Sequence, residues 1–271
     1  MELFRQLLPS IGVVAFALSV VAVRRWWQIR RNRKADADQA LSLAPLAAEL
    51  GGVVVGADRA TAWSAEVRGP LSNHVSGFVD KMLQRSVPKF DLALDFPRGP
   101  WRVRVSQASM RQQKSRGVGR LIEHRFEVAT ARLAPMRLTR RQHVDFRGRQ
   151  VGPEHLGAWL SARPLTVVRS DGEWLPLRLP VGVDREFAVF GSDLSSTARA
   201  FNPEALDWLL ARLEVLPPLV GMFLSLTFED GVVYCTMQGP VEEEVVVPIV
   251  DTIVGLLDRM PDMRPRHPAA A

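Results

Sequence analysis

The 271-residue chain predicts an α+β fold, with an N-terminal transmembrane helix followed by a soluble domain of antiparallel strands and hairpins with packed helices. Three observations predict it. An uncharged run from Leu7 to Val23 opens the chain and stops at six basic residues in 24–34. Short segments then alternate apolar and polar residues between Pro, Gly and Asp turns, as half-buried strands do. Between them stand segments with helical spacing, and such a mixture without a strict βαβ rhythm reads as α+β.

The first element is LLPSIGVVAFALSVVAV, interrupted by Pro9, Ser10, Gly12 and Ser19. As a helix rising about 1.5 Å per residue it spans about 26 Å, near the lower limit for a hydrocarbon core of about 30 Å. Leu7, Leu8, Ile11, Val13 and Val14 would line the first half of the span, and Phe16, Leu18, Val20, Val21 and Val23 the second. Arg24, Arg25, Trp26 and Trp27 would sit at the headgroups, where indoles and snorkelling cations are favoured. Arg30, Arg31, Arg33 and Lys34 extend that interface. A cleaved signal fits poorly, because Glu2 offsets Arg5 at the start and Arg and Trp occupy the cleavage region. The positive-inside rule puts the N-terminus outside the plasma (inner) membrane and the body in the cytoplasm, beside anionic lipid.

Residues 35–40 (ADADQA) read as a polar hinge, and LSLAPLAAELGG as a short helix ended by Gly51-Gly52. Leu71, Val75, Phe78, Val79, Met82 and Leu83 share one helical face. FDLALDF and WRVRV alternate about the turn Pro97-Arg98-Gly99-Pro100, which predicts a hairpin. IEHRFEVAT alternates too, and as a neighbour of WRVRV it would set Arg102 and Arg104 against Glu123 and Glu127. MRLTRRQHVDF reads as a strand, PEHLGAWLSA as a helix, and LTVVRS, EWLPLRL and REFAVFG as strands. Asn202-Pro203-Glu204 announces a helix with Leu206, Leu209, Leu210 and Leu213 along its face. MFLSLTF and VVYCTMQG flank the turn Glu229-Asp230-Gly231, and a last helix runs to about Met260. PDMRPRHPAAA reads as a disordered tail.

Charge divides the body. Residues 1–34 carry +6, 35–97 carry −3, 98–149 carry +11 and 150–271 carry −8. The expected organisation is an anchor (1–34), a hinge (35–40), a basic α+β subdomain (41–150), an acidic one (151–260) and the tail (261–271).

Signals for catalysis are absent from the sequence. RGVGR at 116–120 lacks the strand-and-helix setting of a phosphate loop, and the five histidines show no metal-ligand spacing. Glu242-Glu243-Glu244 sits where a helix begins and suits its dipole. The lone Cys235 excludes an intrachain disulfide and reads as a buried thiol. No cofactor or metal is expected. The feature with functional promise is the basic stretch 98–149, in which Arg111, Lys114, Arg116, Arg120, Arg137, Arg140 and Arg141 are candidates for binding an anion or an acidic partner. Solvation or internal pairing of these charges is the competing reading. Few aromatic residues are placed for base stacking, which makes nucleic acid the least favoured ligand.

The stretch REFAVFGSDLSSTARAFNPEALDWLL, with a strand pair and a terminal helix after it, resembles a family of bacterial membrane-anchored proteins of unknown function. Phe187, Val189, Gly191, Ser192, Asp193, Pro203, Trp208 and Leu209 carry the resemblance, over about the last third of the chain. LDFPRGPWRVRVSQASM is similar to an actinobacterial branch. The resemblance implies a fold and brings no catalytic residue. The expected function is a non-enzymatic, membrane-anchored adaptor that docks a protein partner or the anionic lipid surface. The alternatives are a membrane-bound enzyme acting on an anionic substrate and a membrane-tethered nucleic-acid binder.

Overall fold

The structure is a computed structural model that describes residues 2–72, 87–114, 117–144, 161–163, 174–216, 221 and 224–263. For parts of the first helix, for 111–118 and for 142–144 and 161–163 the backbone alone is described. The chain divides into two compact units, 1–45 and 46–271.

Helix α1 (Glu2–Glu49) accounts for the first unit. The expected transmembrane helix is corrected here: among the described residues no helix is long and apolar enough to cross a membrane. The physical reason lies in the run itself. Its seventeen residues fall short of the roughly 20 a bilayer core asks for, Pro9, Ser10, Gly12 and Ser19 dilute it, and the helix continues into six cations. Residues 35–40 are helical within α1 and form no hinge, because Ala35, Ala37, Gln39 and Ala40 are good helix formers. The helix ends as expected at Gly51, whose φ of 67° suits a residue without Cβ. Gly51 N–H donates to Ala48 O and Gly52 N–H to Ala47 O.

The second unit is built on a nine-stranded antiparallel sheet. Its strands are β1 (Val53–Gly56), β2 (Lys89–Arg98), β3 (Trp101–Lys114), β4 (Gly117–Ala129), β5 (Met136–Arg140), β8 (Leu175–Leu177), β9 (Phe187–Gly191), β10 (Ser225–Glu229) and β11 (Val232–Gln238). Two further strands, β6 (Gln142–Val144) and β7 (Ser161–Arg163), pair with each other. The order in the large sheet is β1-β2-β3-β4-β11-β10-β5-β9-β8. The C-terminal hairpin β10–β11 is therefore inserted between β4 and β5, and the basic and acidic halves of the body share one sheet.

A 3-10 turn (Trp63–Ala65) and four α-helices complete the described elements: α2 (Val181–Asp184), α3 (Leu194–Ala200), α4 (Pro203–Leu213) and α5 (Glu243–Leu257). Asp193 caps α3 by accepting from Ser195 N–H and Ser196 N–H, and Asn202 caps α4 by accepting from Ala205 N–H at 2.9 Å. One sheet face meets α5: Arg98 grips Asp251 through two bonds of 2.7 and 2.8 Å, and Trp101 Nε1–H donates to Asp258. Helix α4 packs on α5. Their crossing is close, because a Cβ at Gly255 would lie 2.2 Å from Trp208 Cζ2. Arg259 and Arg212 both lie over that indole, with Cζ 3.9 and 5.2 Å from its centroid.

The strand expected over 136–146 breaks at Arg141, whose N–H turns aside to Glu186 O. The last helix ends at Leu257 rather than Met260. The start of the expected tail is ordered, since Met263 is buried and its carbonyl accepts from Ala131 N–H at 3.0 Å. Of the helix expected over Leu71–Leu83, residues 73–83 lie outside the described residues, and Leu71, with a φ of 55°, is not helical; most of PEHLGAWLSA and all of LTVVRS also lie outside them, and the last residues of PEHLGAWLSA belong to β7.

Replacing Gly255 with Ala forces Trp208 to move in a packed crossing, an overpacking of the kind that costs about 1–3 kcal/mol. Thermal unfolding of the G255A variant is expected to show a lower Tm than the parent, and an unchanged Tm would contradict the crossing.

Candidate functional site

Strand β4 alternates Glu123, Arg125 and Glu127 on one face with His124, Phe126 and Val128 on the other, and both faces are buried. The charged face is covered by the segment 57–72. Glu127, 0% exposed, accepts from Trp63 N–H and Ser64 N–H at 2.9 Å each and from Ser64 Oγ–H at 2.5 Å. Arg125, 1% exposed, donates from Nε and Nη2 to Glu123 Oε1 at 2.9 and 2.8 Å. Its Nη1 reaches Ser64 Oγ and Arg68 O, and Nη2 also reaches Gly69 O at 2.7 Å. All five guanidinium N–H groups are thereby used. Arg104, opposite Glu127 in the register, turns its guanidinium to Asp95 at 2.6 and 2.7 Å and to Thr61 O. The expected Arg104–Glu127 neighbours are met in the register, but the carboxylate goes to the loop instead. Arg102 is exposed and stands opposite Pro97.

Sequence reasoning missed this cluster because an alternating charged face normally meets water. A signal was present in the small, turn-rich segment ADRATAWSAEVRG, which carries the Ser, backbone N–H and carbonyl groups that such a face needs. Burial pushes the Glu127 carboxyl above its ordinary range, against the opposing pull of the Ser64 and Trp63 donors and Arg125. On the other face, His124 Nδ1–H donates to Gly239 O at 2.8 Å, and burial lowers the imidazole pKa. Cys235 is buried, and loss of water raises its thiol to about 11, which makes it unreactive.

Four of the basic candidates have partners inside the fold. Arg120 pairs with the fully buried Asp91 carboxylate at 2.8 Å, and Arg137 Nε–H donates to Ser225 Oγ at 3.0 Å. Arg140 pairs with Glu186 at 2.6 Å and lies over Phe187. Arg141 holds the Asp184 carboxylate at 2.8 Å and two carbonyls. Arg111 and Lys114 stand near the end of β3, and Arg116 lies outside the described residues. Among the described residues no group of three or more His, Cys, Asp or Glu could hold a metal ion.

Helix α1 carries the former span and interface residues. Leu7, Leu8, Ile11, Val13, Val14, Phe16, Leu18 and Val21 are placed by backbone alone, as are Arg24, Arg25 and Arg33. Val20 and Val23 are exposed, and so are Trp26 at 56% and Trp27 at 67%. Arg30, Arg31 and Lys34 are exposed with them, Arg30 lying over the Trp26 ring at 5.3 Å.

The residues of the C-terminal resemblance cap and pack. Asp193 and Pro203 stand at helix starts, Leu209 is fully buried, and Gly191 leaves room for Thr197.

Two outcomes follow from this cluster. Glu127→Ala strands the Trp63 and Ser64 N–H groups and the Ser64 hydroxyl in the interior, at about 1–3 kcal/mol for each donor left unsatisfied. Limited proteolysis of E127A is expected to cut within 57–72 well before the parent is cut there. His124 is neutral in the fold with a lowered pKa, so the unfolded chain takes up a proton first as pH falls below about 6.5. Stability from this site is present above that pH and lost below it. Chemical denaturation at stepped pH should show the H124N variant, which keeps the Nδ1-like donor, losing less stability between neutral and acidic pH than the parent.

No protein-family model, no curated protein and no solved structure matches the chain.

Proposed function

We propose that the chain is a non-enzymatic accessory protein that docks on an anionic lipid surface through residues 24–34 of α1 and presents its sheet body there. One observation carries the reading: Trp26 and Trp27 are left exposed beside the exposed Arg30, Arg31 and Lys34, in a stretch with six cations and no acid. Indoles are favoured at the headgroup level, where the ring meets lipid and the N–H meets water. Each cation near such a surface adds about 1 kcal/mol. Docking of this kind needs contact with one leaflet only. The contrast with the body supports it, because Arg98, Arg104, Arg125, Arg140 and Arg141 are held by carboxylates of the fold.

Sedimentation of the full chain with vesicles of phosphatidylglycerol in phosphatidylcholine, against phosphatidylcholine alone, tests the reading. The anionic vesicles are expected to retain the protein, with salt weakening retention and indole emission shifting to the blue. Arg30→Glu with Arg31→Glu and Lys34→Glu should weaken retention by roughly tenfold or more. Equal retention by both vesicle types, or no effect of the three substitutions, would overturn it.

A further inference from the structure

The described cations of α1 share a face with its indoles. At about 100° per residue, Val23, Trp26, Trp27, Arg30, Arg31 and Lys34 fall within an arc of about 140°, and all six are exposed. Arg30 stands one turn after Trp26 and lies over its ring, with Cζ 5.3 Å from the centroid. Arg31 stands at the same spacing from Trp27, and Lys34 projects between the two arginines one turn farther on.

Nothing on the helix neutralises this group. From Leu3 to Ala35 the sequence holds no acid, and the first one on that face is Asp38, a turn past Lys34. Among the described residues no carboxylate pairs with Arg30, Arg31 or Lys34. The Trp26 ring holds the Arg30 guanidinium against the helix and shields one side of it from water. Less freedom is then lost when its remaining N–H donors meet an anion.

Three cations gathered within about one turn suit one multiply charged group better than several single charges. A phosphodiester headgroup offers two non-bridging oxygens and one charge. A phosphomonoester offers three, and above its second pKa of about 6 it carries close to two charges. Guanidinium forks engage such oxygens in pairs, which an ammonium cannot do. Val23 and the two indoles continue the same face as apolar surface, which a soluble phosphate would leave in water and a membrane headgroup would not.

We infer that Arg30, Arg31 and Lys34, with Arg30 steadied by Trp26, form a clamp for a phosphomonoester headgroup, so that α1 selects lipids of this class over phosphodiester lipids of equal surface charge. The inference rests on the lipid reading of α1 and gives that surface a headgroup class.

The test uses the full chain and two sets of vesicles, phosphatidic acid in phosphatidylcholine and phosphatidylglycerol in phosphatidylcholine, mixed to the same measured surface potential. At neutral pH the phosphatidic acid vesicles are expected to bind roughly fivefold tighter or more. Arg30→Lys with Arg31→Lys keeps the charge and removes the forks. It is expected to weaken binding to both vesicles, and to phosphatidic acid several-fold more, so that the ratio falls toward one. Both positions are exposed on α1, and matching thermal melts would show the variant folded. Equal binding of the parent to the two vesicles, or a preference that survives the lysine pair, would overturn the inference and leave the docking reading standing. If neither anionic vesicle retains the parent, both are wrong. Glycerol phosphate carries the same headgroup without acyl chains. Binding to it as tight as to the phosphatidic acid vesicles would assign the clamp to a soluble phosphate and overturn the lipid source.

Discussion

Burying an arginine between two glutamates in the middle of a sheet is the constraint on which the body of this protein rests. A lone charge at the position of Arg125 would be untenable, and its pairing with Glu123 would not alone offset the water it loses. The remainder comes from the polypeptide laid across it. Carbonyls of Arg68 and Gly69 accept from the guanidinium, and the N–H groups of Trp63 and Ser64 donate to Glu127. Charge on the strand thus dictates a single path for the covering segment, and the small core of Val55, Ala60, Ala62, Phe90, Ala93 and Ala108 fills in beside it. Polar groups specify this cover, while apolar packing of α4 and α5 builds the opposite face.

The same economy of charge separates scaffold from surface. In this strongly basic chain, with a pI near 10.3, many of the described cations of the body face carboxylates of the fold. Exposed Arg30, Arg31 and Lys34 stand together on α1 with no acid in the same stretch, whereas the exposed cations of the body, Arg102, Arg178, Arg185 and Arg199 among them, are scattered along the chain. Net charge alone does not locate a binding surface; the location of the counter-charges does.

Much of the fold was legible where chemistry is local. The Asp230-Gly231 turn takes positive φ at both residues, 48° and 78°, and joins the hairpin it announces. Asn202 caps its helix, and Gly99 turns β2 into β3 with φ of 58°. What the sequence withheld depends on distant partners. Nothing local in FEVAT or in MRLTR says that β10 and β11 come between them. The alternation in β4 marks two faces but not that both are covered. Polarity in ADADQA suggested a break, whereas helix propensity carried α1 through. Of the candidate anion-binding residues, the pairing of Arg140 with Glu186 and of Arg141 with Asp184 joins segments more than forty residues apart, beyond what spacing can reveal.

The strand order also sets a timetable for synthesis. When the chain has grown only as far as β9, strands β4 and β5 each have one side without a partner, because residues 225–238 have yet to be made. Two open edges in the middle of a future sheet invite pairing with other chains. During this interval the nascent protein is at its most vulnerable, and arrival of a single hairpin closes both edges at once. A chain cut short before Ser225 would lose more than its last helix: it would hold two half-sheets with nothing to join them.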